Sequence, residues 1–131
     1  MKTPAKITAF AGSARKKSTF KAAEDFLKNL NDPAAIDYEI VSLSDYNLEI
    51  CRGCKLCTDR GEEYCPLKDD RDILIEKMKF SDGIVFATPN YSFHVSGYLK
   101  VFLDRLGFFF HRLYFLKKRV GLILDSITPL N

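Results

Sequence analysis

Outside residues 51–65 the sequence has no cysteine, and several other features are missing with it. No stretch approaches the roughly 18 to 20 continuous apolar residues that span a bilayer, so no membrane role is expected. Linkers, internal repeats and low-complexity tracts are absent, which leaves one compact domain over residues 1–131. Charge of one sign is scarce as well. The 20 basic and 17 acidic residues give +3, scattered along the chain and too weak a bias to argue for a nucleic-acid partner, while small anions remain suitable. The opening MKTPAKITAFAGSARKK lacks the long apolar segment of a signal peptide. The expected compartment is the cytoplasm, where thiols stay reduced and grouped cysteines more often bind metal or do redox chemistry than form structural disulfides.

What the chain has is an alternation, with 47% hydrophobic residues to build a core. KITAFAGS (6–13) is a short apolar run ending in Gly-Ser, a buried strand delivered into a turn. Ala23, Phe26, Leu27 and Leu30 then recur at helical spacing, behind a cap at Ser18 or Thr19 and ahead of a stop at NDP. YEIVSLSD (38–45) reads as a second strand, and DDRDILIEKMKFS (69–81) as a helix whose acidic start suits its dipole. GIVFATPN (83–90) is a third buried strand, Val95, Leu99, Phe102, Leu103 and Leu106 mark a third helix, and RVGLILDS (119–126) is a fourth strand. The alternation predicts an α/β fold: a three-layer, doubly wound parallel sheet with ligands beyond the carboxyl ends of its strands.

Two of those ends carry distinctive loops. GSARKKST (12–19) joins strand to helix with hydroxyls and three cations. A phosphate suits the positive helix start, with Ser13, Ser18 and Thr19 donating and Arg15 adding charge; a solvated basic turn is the plainer alternative. TPNYSFHVSGYLKVFLDR (88–105) places Pro, Tyr, Phe and His close together, which suits the rim of a flat aromatic ligand or, equally, a packed aromatic loop. His94 is taken as a polar filler rather than a proton donor.

Both loops, in this order and over nearly the whole chain, resemble the flavodoxin-like NAD(P)H-dependent FMN reductases. The resemblance implies that Ser13, Arg15, Ser18 and Thr19 hold the FMN phosphate, and that Pro89, Asn90, Tyr91, Ser92, Phe93 and Val95 frame the flavin. The family continues past its fourth strand with a helix, a fifth strand and a last helix. This chain is therefore expected to be flavodoxin-like but truncated, either a fragment or a subunit completed by a partner.

Cys51, Cys54, Cys57 and Cys65 form C-x2-C-x2-C-x7-C in a loop inserted after the second strand. Thiolates so spaced on a turning backbone can converge on a 4Fe-4S cluster. The pattern resembles the iron-sulfur flavoprotein branch of the same family, in which a cluster exchanges electrons with FMN. Free thiols, tetrahedral zinc and a disulfide stay open beside it. The aromatic run at 108–116 packs under the sheet or serves a homo-oligomer interface.

The expected function is that of an FMN-dependent oxidoreductase, a flavoprotein passing electrons from NADH or NADPH through FMN to a quinone, a flavin or an iron-sulfur acceptor, small molecule or protein. No side chain is assigned as a catalytic nucleophile or acid. The alternative is a non-enzymatic flavin or iron-sulfur electron carrier or redox sensor.

Overall fold

The computed structural model describes residues 3–30, 32 and 34–126. Four strands, β1 (Ala5–Ala11), β2 (Ile36–Ser42), β3 (Gly83–Pro89) and β4 (Arg119–Asp125), pair in parallel in the order β2-β1-β3-β4. The expected α/β fold, a parallel sheet flanked by helices, is therefore present. Among the described residues four α-helices accompany the strands: α1 (Ser18–Lys28), α2 (Leu56–Asp59), α3 (Arg71–Lys79) and α4 (Gly97–Asp104). The chain leaves β1 toward β2 on one side and returns to β3 on the other. That reversal opens a crevice at the carboxyl ends of β1 and β3, where ligands of such sheets sit.

Strand alternation divides the core in two. Ala9 of β1 and Val85 and Ala87 of β3 face α1, where Ala23 and Leu27 close a compact cluster. Phe10 and Ile84 face the other way, into a larger cluster with Leu74, Ile75 and Met78 of α3 and Leu99 and Phe102 of α4. Phe10 lies 5.1 Å from Phe102, centroid to centroid, and burial of rings of this size dominates core energetics. Small residues on the α1 side let that helix approach closely; the aromatic residues fill the wider gap opposite.

Several expectations need correction. Neither Ser18 nor Thr19 caps α1: Lys17 occupies that position without a side-chain cap bond, and Thr19 instead lies buried in the first turn, donating to Asp125. Phe26 does not join the buried face of α1. It is 47% exposed, since it stands a full helical step from Leu27. β2 ends at Ser42, and Leu43–Asp45 turns as a short 3-10 segment that redirects the chain toward the cysteines. Val95 precedes α4, which starts at Gly97 behind a true cap, Ser96, whose hydroxyl accepts from the Leu99 N–H. The aromatic run divides: Phe108 is fully buried in the larger cluster, whereas Leu113 and Leu116 just beyond are 78% and 73% exposed. β4 is covered by α1 on one face, through Ile123, and leaves Val120, Leu122 and Leu124 open on the other.

Candidate functional site

The loops after β1 and β3 meet in one pocket. Ser13, Arg15, Lys17, Ser18 and Thr19 line it from the first loop, Pro89, Asn90 and Tyr91 from the second, and Asp125 from the end of β4. Gly12 makes the close approach possible, because a Cβ there would stand 2.7 Å from the Ser96 hydroxyl and 2.9 Å from Leu99 Cβ. The second loop is tethered at its base: Thr88 Oγ1 accepts from the Ser96 N–H at 3.0 Å and donates to the Pro89 carbonyl at 2.9 Å.

All four expected phosphate residues thus reach the pocket, in unequal roles. Ser13 donates its hydroxyl to the Arg15 carbonyl at 2.6 Å, and Thr19 donates to Asp125 at 3.0 Å. What faces an incoming anion is the first turn of α1, with its unpaired backbone N–H groups, together with Ser18 and the Arg15 and Lys17 cations. This donor set fits a phosphate. Asp125, by contrast, brings a carboxylate to the same pocket from the end of β4, a strand end where ligands were expected but where no residue was singled out.

The expected flavin residues separate as well. Pro89, Asn90 and Tyr91 line the pocket, while Ser92 and Phe93 form the tip of a two-residue hairpin closed by Tyr91 and His94, each N–H bonding the other's carbonyl at 3.0 Å. Both tip residues have positive φ, 51° and 65°, the pattern of a type I′ turn, and Phe93 is 95% exposed. Val95 packs against the larger core cluster. Tyr91 also borders a second, more apolar hollow with Tyr46, Leu48 and Tyr98.

The cysteines line a third, shallow pocket, with Arg52, Lys55, Arg71, Asp104 and Arg105 among its other walls. The loop bends through left-handed residues at Gly53 and Lys55 and a single-turn α2, which lets widely spaced sulfurs turn toward one hollow. Cys51 and Cys54 are exposed, Cys57 and Cys65 half-buried, and all four are free thiols. Among the described residues no group of three or more His, Cys, Asp or Glu side chains is drawn together tightly enough to hold a metal ion. Four cations and the carboxylate of Asp104 line the pocket beside the sulfurs, and the Gly53 N–H donates to Cys51 Sγ, 3.4 Å away.

Asp69 and Asp70, legible only as a helix start, anchor this loop. Asp70 accepts the Asn47 N–H and Asp69 the Glu49 N–H, each at 2.7 Å, which pins the approach to Cys51. Arg105 grips Asp69 through two nitrogens at 2.6 and 3.1 Å, the Glu49 carbonyl at 2.7 Å and Cys65 Sγ at 3.8 Å. Burial opposes the charge of both partners, yet their mutual hydrogen bonds prevail: Asp69 is held below the usual carboxylate range and Arg105 above its ordinary value.

The profile of the NADPH-dependent FMN reductases matches residues 5–129. The chain belongs to the NADPH-dependent FMN reductase family. Within that family it is similar to the iron-sulfur flavoproteins, as the cysteine pattern suggests. One from Methanocaldococcus jannaschii is 35% identical over 76% of this chain and 51% of its own length. Another, from Archaeoglobus fulgidus, is 37% identical over 76% of this chain and 48% of its own. The chain thus spans about half the length of these relatives. In fold it is similar to RosB, solved with a bound flavin-phosphate intermediate, at a TM-score of 0.73 and 20% identity, covering 93% of this chain and 52% of that one. Among the described residues no helix is long and apolar enough to cross a membrane.

Proposed function

We propose that this FMN reductase family member supplies the phosphate site and the flavin-bordering loop of an NAD(P)H-dependent oxidoreductase, and that Cys51, Cys54, Cys57 and Cys65 hold a 4Fe-4S cluster serving the flavin. The reading is supported above all by one observation: the loops after β1 and β3 line a single pocket at the switch point of the sheet, with cations and helix N–H groups on one wall and Pro89, Asn90 and Tyr91 on the other. When bound, FMN would take a hydride from the nicotinamide and pass the electrons on.

The chain's own contribution is placement. The start of α1, with Arg15 and Lys17, attracts the phosphate, and the loop held by Thr88 and Ser96 sets where a ring can lie. Tyr91 stands between the phosphate pocket and the apolar hollow, so it forms the shared wall across which a flat ring or acceptor would be presented. No side chain is needed as nucleophile or proton donor, and His94 sits exposed at the hairpin. A cytoplasmic homo-oligomer belongs to the same proposal, supported by the open apolar residues Leu113, Leu116, Leu122 and Leu124. The acceptor is a quinone, a flavin or an iron-sulfur centre.

Flavin titration followed by fluorescence tests this reading. FMN is expected to bind at least about tenfold more tightly than riboflavin, because only FMN presents the anion that the helix start and its cations attract. Equal affinities would remove the phosphate assignment.

A further inference from the structure

The phosphate pocket contains one group that an anion does not call for. Beside Arg15 and Lys17 stands the carboxylate of Asp125, and among the described residues none of the three enters an ion pair. A like charge weakens an anion site, so a carboxylate kept there needs a use. Its place is fixed from three sides: Asp125 is in register with Pro89, its carbonyl accepts the Asn90 N–H at 2.8 Å, and Oδ2 accepts the Thr19 hydroxyl at 3.0 Å. Thr19 is 2% exposed in the first turn of α1. Asp125 therefore links the helix start that draws the phosphate to the wall of Pro89, Asn90 and Tyr91 that borders a ring. Anchoring Thr19 alone would not require a charge, because a neutral oxygen accepts that bond as well. An ionised carboxylate offers about four acceptor positions and no donor, and Thr19 takes one of them. Whatever uses the rest must bring O–H or N–H groups.

We infer that Asp125 is a specificity residue of this pocket: its carboxylate accepts hydroxyl groups on the chain that joins the ligand's phosphate to its ring. The inference rests on the FMN reading above and deepens it, since it concerns the part of the ligand between the two ends already placed. A charged acceptor holds a hydroxyl roughly twice as strongly as a neutral one, which offsets the like charge beside the phosphate.

The test is a set of flavin fluorescence titrations on the full chain, with FMN and with a synthetic flavin phosphate in which a plain alkyl chain of the same length replaces the ribityl chain. The wild type is expected to bind FMN at least about tenfold more tightly than the hydroxyl-free analogue, and Asp125→Ala to bring the two within about threefold. Asp125→Asn keeps an acceptor for Thr19, and with it the fold, and should narrow the preference by about threefold. A carboxylate that only holds Thr19 would weaken both ligands alike when replaced. An unchanged FMN-to-analogue ratio in either folded variant therefore overturns the inference, as does a wild type that binds the two ligands equally, whatever the variants do. A wild type that binds riboflavin as tightly as FMN overturns the phosphate reading and the inference with it.

Discussion

The phosphate pocket and the cysteine pocket are built in opposite ways. The first is made by backbone: a strand end, a helix start and a tethered loop meet where the sheet reverses, and side chains only trim the result. The second hangs on side chains from distant elements, with Asp69 before α3 and Arg105 after α4 gripping a loop that has little regular structure of its own. A site drawn from backbone tolerates changes in its trimming, whereas one hung on a buried ion pair should fail through that pair.

The sharpest way to break this contrast is Arg105→Ala. Leaving Asp69 buried without its partner should cost about 3–5 kcal/mol, read in urea unfolding, while Arg15→Ala at the other pocket should leave stability nearly unchanged. Acid should act on the same point. Because Asp69 is held below its usual range, its stabilisation is complete above its unfolded pKa of about 3.9 and is lost as the pH falls through the lower folded value. Unfolding midpoints flat from pH 5 to pH 2 would speak against the clamp.

Arg15→Ala with Ser13→Ala should weaken FMN by roughly 10-fold to 100-fold, the loss of a charge-assisted contact, with riboflavin nearly unaffected. Matching losses for the two flavins would show that the pocket has been assigned to the wrong part of the ligand. Gly12→Ala should cost about 1–3 kcal/mol, since Leu99 Cβ lies within a fixed helix at 2.9 Å from the added methyl. The smallest effect is expected at Phe93, where glycine relieves the positive φ: Phe93→Gly should change stability by less than about 1 kcal/mol. A large loss there would mean that the exposed ring is held by contacts the described structure does not contain.

The contrast also explains what could be read from the chain. β1, β3 and the loops after them follow local rules, apolar runs ending in Gly-Ser or Pro, so the strands and the loops that meet at the pocket were legible with errors of a few residues at element ends, while the lateral strand order was not. The cysteine spacing was legible because its chemistry is local too. Asp69 carried no such signal: an acid before a helix reads as a cap, and its partner lies 36 residues away. Asp125 stood at a strand end already expected to border ligands, but its link to Thr19, across 106 residues, carried no local signal. Phe26 misled through its type, since an aromatic residue at helical spacing suggests burial and this one is half exposed.

The central claim, that one chain carries two separate sites, is tested most directly by reconstituting it anaerobically with ferrous iron, sulfide and FMN and assaying all three on one sample. The expected result is one flavin and about four irons per chain, with Cys54→Ser losing the iron while keeping FMN and Arg15→Ala with Ser13→Ala doing the reverse. A wild-type chain that binds FMN but no iron would leave the cysteines as plain thiols and contradict the claim.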